Sequence, residues 1–342
     1  MRRVSTAQPT MKLFTRVATR LACLALALPL CGWAQMLKDP ALEALYAGDR
    51  SDELQRLALQ RLGAQPDDTQ AVLALSLVAL ERDDASIRQP ALQRAQACAE
   101  KQPRSAACQY SFGVLLGMQA ASEGLIKAAR SVGTVKEALT AAHEADPAWY
   151  PARSALIEFH LLAPGMLGGS RSKADELARG APRPEQVTAL TARLALQDRQ
   201  LQTALSQLST LPALQDTSLQ DDVHNWGAQA GLGLINNKEP AKAQAWFERL
   251  MRERPGRATG AYGLARVRGE QGDWAEAQRL LETAQGLKGA SGWPVLYRLG
   301  IAQQQQGKLD AARKSYRAFV AAGKGQKASL EDARKRLEQL GS

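Results

Sequence analysis

An all-α chain of antiparallel helix hairpins, stacked into a solenoid, is the fold class the sequence predicts, and three observations predict it. Ala, Leu, Gln, Arg and Glu dominate, while aromatic residues make up only 5% of 342; such a composition suits helices and is poor material for a β-sheet surface. A small residue recurs late in the chain, Ala243, Ala277 and Ala312 standing 34 and 35 residues apart. Periods of that length mark stacked supersecondary units. Between the apolar, helically periodic stretches lie Gly and Pro, where a helix has to end and turn back.

The first 34 residues read as a leader and not as part of the fold. Arg2, Arg3, Lys12, Arg16 and Arg20 form a basic region without an acid, ahead of the apolar run Leu21–Leu30 and the small residues flanking a cleavage point in Gly32-Trp33-Ala34. That is the layout of a secretory signal peptide, and the apolar run is too short to span a membrane. Initiation at Met1 or at Met11 leaves the pattern intact, since Lys12 still supplies charge. A lipid anchor at Cys31 is the competing reading, disfavoured because Leu30 is bulky where the residue before a lipid-bearing cysteine is small. The mature chain is thus expected to begin near Gln35 in the periplasm or outside the cell. Its net charge falls from +10 to about +5, with both signs intermixed. A block of basic residues for nucleic acid is missing, so no nucleic-acid partner is expected. Nor is a stable membrane span expected in the mature chain.

From residue 35 to about 215 the units are degenerate. Helices are expected over Ala41–Ala47, Asp52–Leu62, Asp68–Glu81 and Ile87–Lys101, separated by Gly48-Asp-Arg-Ser51, Gly63-Ala-Gln-Pro66 and Asp83-Asp84. Ser111–Ala142 is too long for one repeat helix, and Ser131-Val-Gly-Thr134 is the expected break. Ala148–Leu162, Ser172–Arg179 and a pair within Leu190–Leu211 continue the pattern, with Pro103 and Pro147 where a second helix closes. Ala163-Pro-Gly-Met-Leu-Gly-Gly-Ser170 lengthens one hairpin turn. Gly168, Gly169 and Ser170 there could offer backbone amides to an anion at the start of the next helix.

Residues 216–342 carry the clearest units, about three of them. Gly231, Ala265 and Gly300 place a small residue in each first helix. The second helices pair a small residue with a large one four positions on, Ala243 with Phe247, Ala277 with Leu281 and Ala312 with Tyr316. Gly272 and Gly307 occupy the turns, followed by Trp274 and Leu309. These residues resemble the tetratricopeptide repeat over about 222–323, with Lys238 replacing the turn glycine of the first unit and Gly289 replacing the closing proline of the second. The resemblance implies a right-handed solenoid with a concave groove. A final helix, opened by Ser329-Leu-Glu-Asp332 in the manner of a capping box, would cover the solenoid end. The stretch Cys98–Gly180 is also similar to secreted bacterial repeat proteins of unassigned role.

Catalytic chemistry finds no support. His143, His160 and His224 are scattered, and no H-E-x-x-H, paired C-x-x-C, G-x-S-x-G or phosphate-loop motif is present. No catalytic residue, metal or cofactor is expected, and the chain is expected not to be an enzyme. In the repeat it resembles, four positions of each first helix face the groove. They fall here on Asn225, Ala228, Leu232 and Ile235, on Thr259, Tyr262, Arg266 and Gly269, and on Pro294, Tyr297, Ile301 and Gln304. Asn225, Tyr262, Arg266, Tyr297 and Gln304 are the candidate contacts, Tyr and Arg being the commonest interface anchors. The leading expectation is an exported scaffold or adaptor that binds a peptide or protein in this groove. The alternative is an accessory protein for a small molecule or envelope polymer, using the loop 164–170, and a deep closed pocket beneath that loop would favour it.

Two cysteines remain in the mature chain. Cys98 lies five residues before Pro103 and Cys108 five after, so the pair would face one another across a helix–helix turn. In an oxidising compartment that spacing predicts a disulfide.

Overall fold

The computed structural model describes residues 35–341, apart from 83, 124 and 324 and the side chains of 123–128. The expected leader, with Cys31 and both candidate starts, lies outside the described residues. Seventeen α-helices follow one another among the described residues. They pair as α1 (Pro40–Ala47) with α2 (Ser51–Ala64), α3 (Thr69–Arg82) with α4 (Ala85–Lys101), α5 (Ala106–Glu123) with α6 (Leu125–Ala145), and α7 (Tyr150–Leu162) with α8 (Arg171–Arg179). Then come α9 (Pro184–Gln197) with α10 (Leu201–Ser209), α11 (Thr217–Asn236) with α12 (Pro240–Glu253), α13 (Ala258–Glu270) with α14 (Trp274–Gln285), and α15 (Val295–Gln305) with α16 (Leu309–Ala322). The last helix is α17 (Lys327–Gln339). The all-α solenoid is as expected.

Two turn chemistries repeat along the chain and explain why it folds back so regularly. Inside five hairpins one residue is left-handed: Asp49, Arg199, Lys238, Gly272 and Gly307, with φ of 60°, 60°, 65°, 82° and 73°. Each donates its amide three residues back and the next residue donates five back, as Lys238 to Ile235 (3.0 Å) and Glu239 to Leu234 (2.9 Å). This is the Schellman closure of a helix. Between hairpins the turns are x-Pro-x-x, at Pro66, Pro103, Pro147 and Pro255, where the residue before proline closes the preceding helix; Gln102 donates to Cys98 (2.8 Å) and Arg254 to Leu250 (2.9 Å).

Small residues set how closely helices approach. Gly263 on α13 leaves room for Phe247 of α12, because a Cβ there would lie 2.0 Å from the ring. Cys98 and Cys108 form a disulfide between α4 and α5, their Cα atoms 5.4 Å apart, so the expected pairing is present. Two boundaries differ from expectation. The break in the long central segment lies after Glu123 and not at 131–134; Gly133 stays helical, with open space where a side chain would stand. α17 begins at Lys327, so Ser329 lies inside the helix and caps nothing. Asp332 instead accepts from Tyr297 (2.8 Å) and Arg336 (2.6 Å), clamping α17 onto α15.

The array curls until its first hairpin meets its sixth and seventh. Tyr46 donates to Asp221 (3.1 Å) and Thr217 to Glu43 (3.0 Å). Lys288, in the segment after α14, donates to the backbone of Asp49 (3.0 Å) and pairs with Asp49 (3.1 Å) and Glu81 (2.7 Å), while Arg257 pairs with Asp49. This closure is polar, and it encloses a space.

Candidate functional site

The enclosed space is a cavity of about 850 Å³, within the range of ligand-binding clefts. Its two sides differ in chemistry. α5, α6 and α7 supply Tyr110, Gly113, Val114, Gly117, Val135, Leu139 and Phe159, and α3 adds Leu77 and Val78. α11 presents Thr217, Ser218, Asp221, Asp222, His224 and Asn225, while Arg254 closes α12 of the same hairpin and Arg257 and Thr259 belong to the next. The apolar side exists because α5 and α6 are apolar along more than one stripe; the stripe not spent on neighbouring helices is left facing inward.

Most charges in the wall are matched. Asp221 takes Arg254 at 2.5 Å. Glu158 holds Arg193 through two hydrogen bonds, 2.5 and 2.8 Å, the fork geometry that makes guanidinium–carboxylate pairs strong. Burial works to raise Asp49, but hydrogen bonds from Lys288 and Arg257 outweigh it and hold the carboxyl below its usual value. Asp222 differs: burial pushes it up to about 7, against hydrogen bonds from Ser154 (2.6 Å) and Tyr150 (2.8 Å). His224, lowered by burial, sits 2.7 Å from Glu253.

This arrangement of hairpins can be set beside known proteins. No family model matches the sequence, and no curated protein matches it. Among solved structures, the human IFIT1 dimer with PPP-AAAA superimposes with a TM-score of 0.54 at 13% identity, covering 85% of this chain and 68% of that one. The Cut9–Hcn1 hetero-tetramer of the APC/C superimposes with a TM-score of 0.50 at 11% identity, over 88% of this chain and 55% of that one, so this chain spans little more than half its length. The fold is a tetratricopeptide-like solenoid.

Within the tetratricopeptide-like array the five candidate contacts separate. Asn225 is exposed and lines the cavity, as does Thr259. Tyr262, against the expectation of an exposed anchor, is 2% exposed and stacks on Trp293 with ring centroids 5.0 Å apart. Tyr297 is likewise buried and donates to Asp332 of α17. Gln304 accepts from Tyr316 (2.9 Å) and Arg336 (3.2 Å). Arg266 donates to Asn236 (2.9 Å), and burial lowers its pKa. The physical reason is common to all four: α17 and the neighbouring hairpins pack into the groove of the last two units, so the open concavity lies upstream, around α3, α5, α7 and α11.

The glycine loop is a turn whose amides are spent. Gly168 donates to Gly165 (3.1 Å), Gly169 to Pro164 (3.2 Å) and Ser170 to His160 (3.0 Å). Ser170 caps α8 by accepting from Lys173 (3.3 Å). A Cβ on Gly169 would lie 1.8 Å from the Ala163 carbonyl oxygen. The anion-binding expectation therefore loses its donors. The loop matters in another way, because Ala163, Pro164 and Leu167 form part of the cavity wall. His160 is buried, burial lowers its pKa, and its carbonyl, accepting from Ser170, ties the loop back to α7. Sequence reasoning missed Asp221 and Asp222, although their adjacency, as the two acidic residues of α11, was visible.

Among the described residues no group of His, Cys, Asp and Glu is placed to hold a metal, and no helix is long and apolar enough to cross a membrane.

Proposed function

We propose that this chain is an exported, non-catalytic scaffold that holds a peptide segment of a protein partner inside the cavity. The observation that carries the reading is the mixed lining: apolar side chains of α3, α5, α6 and α7 for hydrophobic groups, together with carboxylates, hydroxyls and the Asn225 amide for a backbone and its polar groups. Asn225 belongs to that polar side. A carboxylate-rich wall repels phosphate, which supports a partner other than nucleic acid. Absence of catalysis is supported by the sequence, which carries no H-E-x-x-H, paired C-x-x-C, G-x-S-x-G or phosphate-loop motif. Export is supported by the leader-like order of residues 1–34 and by a disulfide that oxidising compartments preserve.

The test is capture from envelope extract by the chain and by Gly117→Leu, which puts a side chain into the cavity. A partner retained by the first and lost by the second is expected, with cross-links from its bound segment to α5 and α11. Equal capture by both would move the site off the cavity. For export, amino-terminal sequencing of envelope material should start at or near Gln35; full-length chain confined to the cytoplasm would end that part of the reading. A second reading, a small-molecule accessory, is favoured by one observation, that Ala163, Pro164 and Leu167 of the loop help to wall a cavity of ligand-binding size.

A further inference from the structure

The cavity wall carries five carboxylates, and pairing them with their cations leaves one over. Asp49 is held by Arg257 and Lys288, Glu81 by Lys288, Glu158 by Arg193 and Asp221 by Arg254. Asp222 has no cation at ion-pair distance among the described residues. Its two hydrogen bonds come from the neutral hydroxyls of Tyr150 and Ser154, and both fall on the same oxygen, Oδ2. Oδ1 accepts no hydrogen bond from any described residue, yet it is not among the buried polar atoms without a partner. It is therefore open to the cavity that Asp222 lines.

Tyr150 and Ser154 stand one helical turn apart on α7, so their hydroxyls fix the carboxylate in one orientation with Oδ1 outward. A carboxylate removed from bulk water without a counter-charge is unfavourable, and a cation brought to it recovers the lost interaction. Much of the remaining lining is apolar, from Tyr110, Val114, Val135, Leu139 and Phe159. We infer that the cavity receives an ammonium group carried on an apolar body, with the ammonium on Asp222 Oδ1 and the body against α5, α6 and α7. The same chemistry occurs at a peptide amino terminus or lysine and in a small alkylamine. The inference rests on the cavity being the binding site. Burial, which raises the pKa of Asp222, is consistent with a carboxylate that a cation would stabilise.

Titration calorimetry with octylamine, N-octylacetamide and octanoate tests it, alongside a leucine-rich tetrapeptide with a free amino terminus and its acetylated twin. In at least one pair the ammonium form should bind ten-fold or more tightly than its neutral partner, with octanoate weakest. Preference in the peptide pair alone identifies a peptide source; preference in the octylamine pair alone identifies a small amine. Asp222→Asn, which still accepts from Tyr150 and Ser154, should abolish the preference, with its unfolding transition confirming that the variant is folded. Ammonium and neutral forms binding alike in both pairs, or a preference that survives Asp222→Asn, would overturn the inference. In that case neutral probes still excluded by Gly117→Leu would leave the cavity reading standing. Should no probe bind, both fall.

Discussion

Two glycines one turn apart on α5 should respond to a side chain in opposite ways. Gly113 faces α6 so closely that a Cβ would lie 2.8 Å from Leu139 Cδ2 and 2.9 Å from its Cγ, with Ala138 Cβ at 3.3 Å. Gly117 has only Val135 near, at 3.5 and 4.0 Å, which is ordinary contact. A good helix former such as alanine or leucine, replacing glycine inside a helix, gains about 0.5–1 kcal/mol in propensity. At Gly117, leucine adds partial burial on the apolar wall, about half the roughly 1.5–3 kcal/mol of full burial. Gly117→Leu should thus stabilise the chain by about 1–2 kcal/mol while filling the cavity and abolishing binding. At Gly113 the propensity gain meets an overpacking penalty of about 1–3 kcal/mol, so Gly113→Ala should destabilise by about 1 kcal/mol. Urea unfolding of both variants, beside binding of the captured partner, checks the pair. A Gly117→Leu variant as destabilised as Gly113→Ala would refute the packing argument; one that is stabilised and still binds would refute the cavity as the site.

Three further outcomes are expected. Replacing Cys98 and Cys108 by serine opens a ring of about eleven residues and should cost about 3 kcal/mol by loop entropy, seen as lost hydrogen-exchange protection in α4 and α5. Unchanged protection there would show that the disulfide supports neither helix. Lys238→Gly should stabilise by about 0.5–1 kcal/mol in thermal unfolding, because relief of a left-handed lysine, worth about 1–2 kcal/mol, exceeds the added chain entropy of glycine, about 0.5–1 kcal/mol. The ion pair lost with it, Lys238 to Glu270, is exposed on the lysine side and worth little.

The third concerns pH. Asp222 faces Tyr150, Ser154 and Glu158 of α7 and Asp221 of its own helix, and its folded pKa is raised to about 7. Between about pH 4 and 7 the folded state therefore holds a proton that the unfolded chain has released, and stability falls as pH rises through that window. Asp222→Asn should remove this component, gaining on the unmodified chain by about 2–4 kcal/mol between pH 4 and pH 8 at about 1.4 kcal/mol per pH unit. Glu43 and Asp216, also raised by burial, titrate in both proteins and cancel. Parallel stability curves for the two chains would contradict the assignment.

Local order was legible in the residues. The paired small and large positions of the second helices, the glycine turns at 272 and 307, and the cysteines set symmetrically about Pro103 all act within one hairpin or between adjacent ones, where chain proximity makes sequence spacing nearly equivalent to spatial position. The left-handed turn at Arg199 was harder to see because no glycine marks it, and at Asp49 the marking glycine, Gly48, stands one residue before the left-handed position, though the Schellman hydrogen bonds are the same. What the tertiary structure alone decided is which groove stays open and what lines it. Tyr262 and Tyr297 occupy groove positions by register, yet α17 and the next hairpin bury them. Asp222 becomes a site only because α7, some 70 residues upstream, brings Tyr150 and Ser154 to it, and the cavity closes through bonds such as Lys288 to Asp49, 239 residues apart. Those contacts depend on the small rotation between successive hairpins, summed over the whole array. No local pattern encodes that sum, because each hairpin touches chiefly its neighbours and carries no signal for where the superhelix returns upon itself.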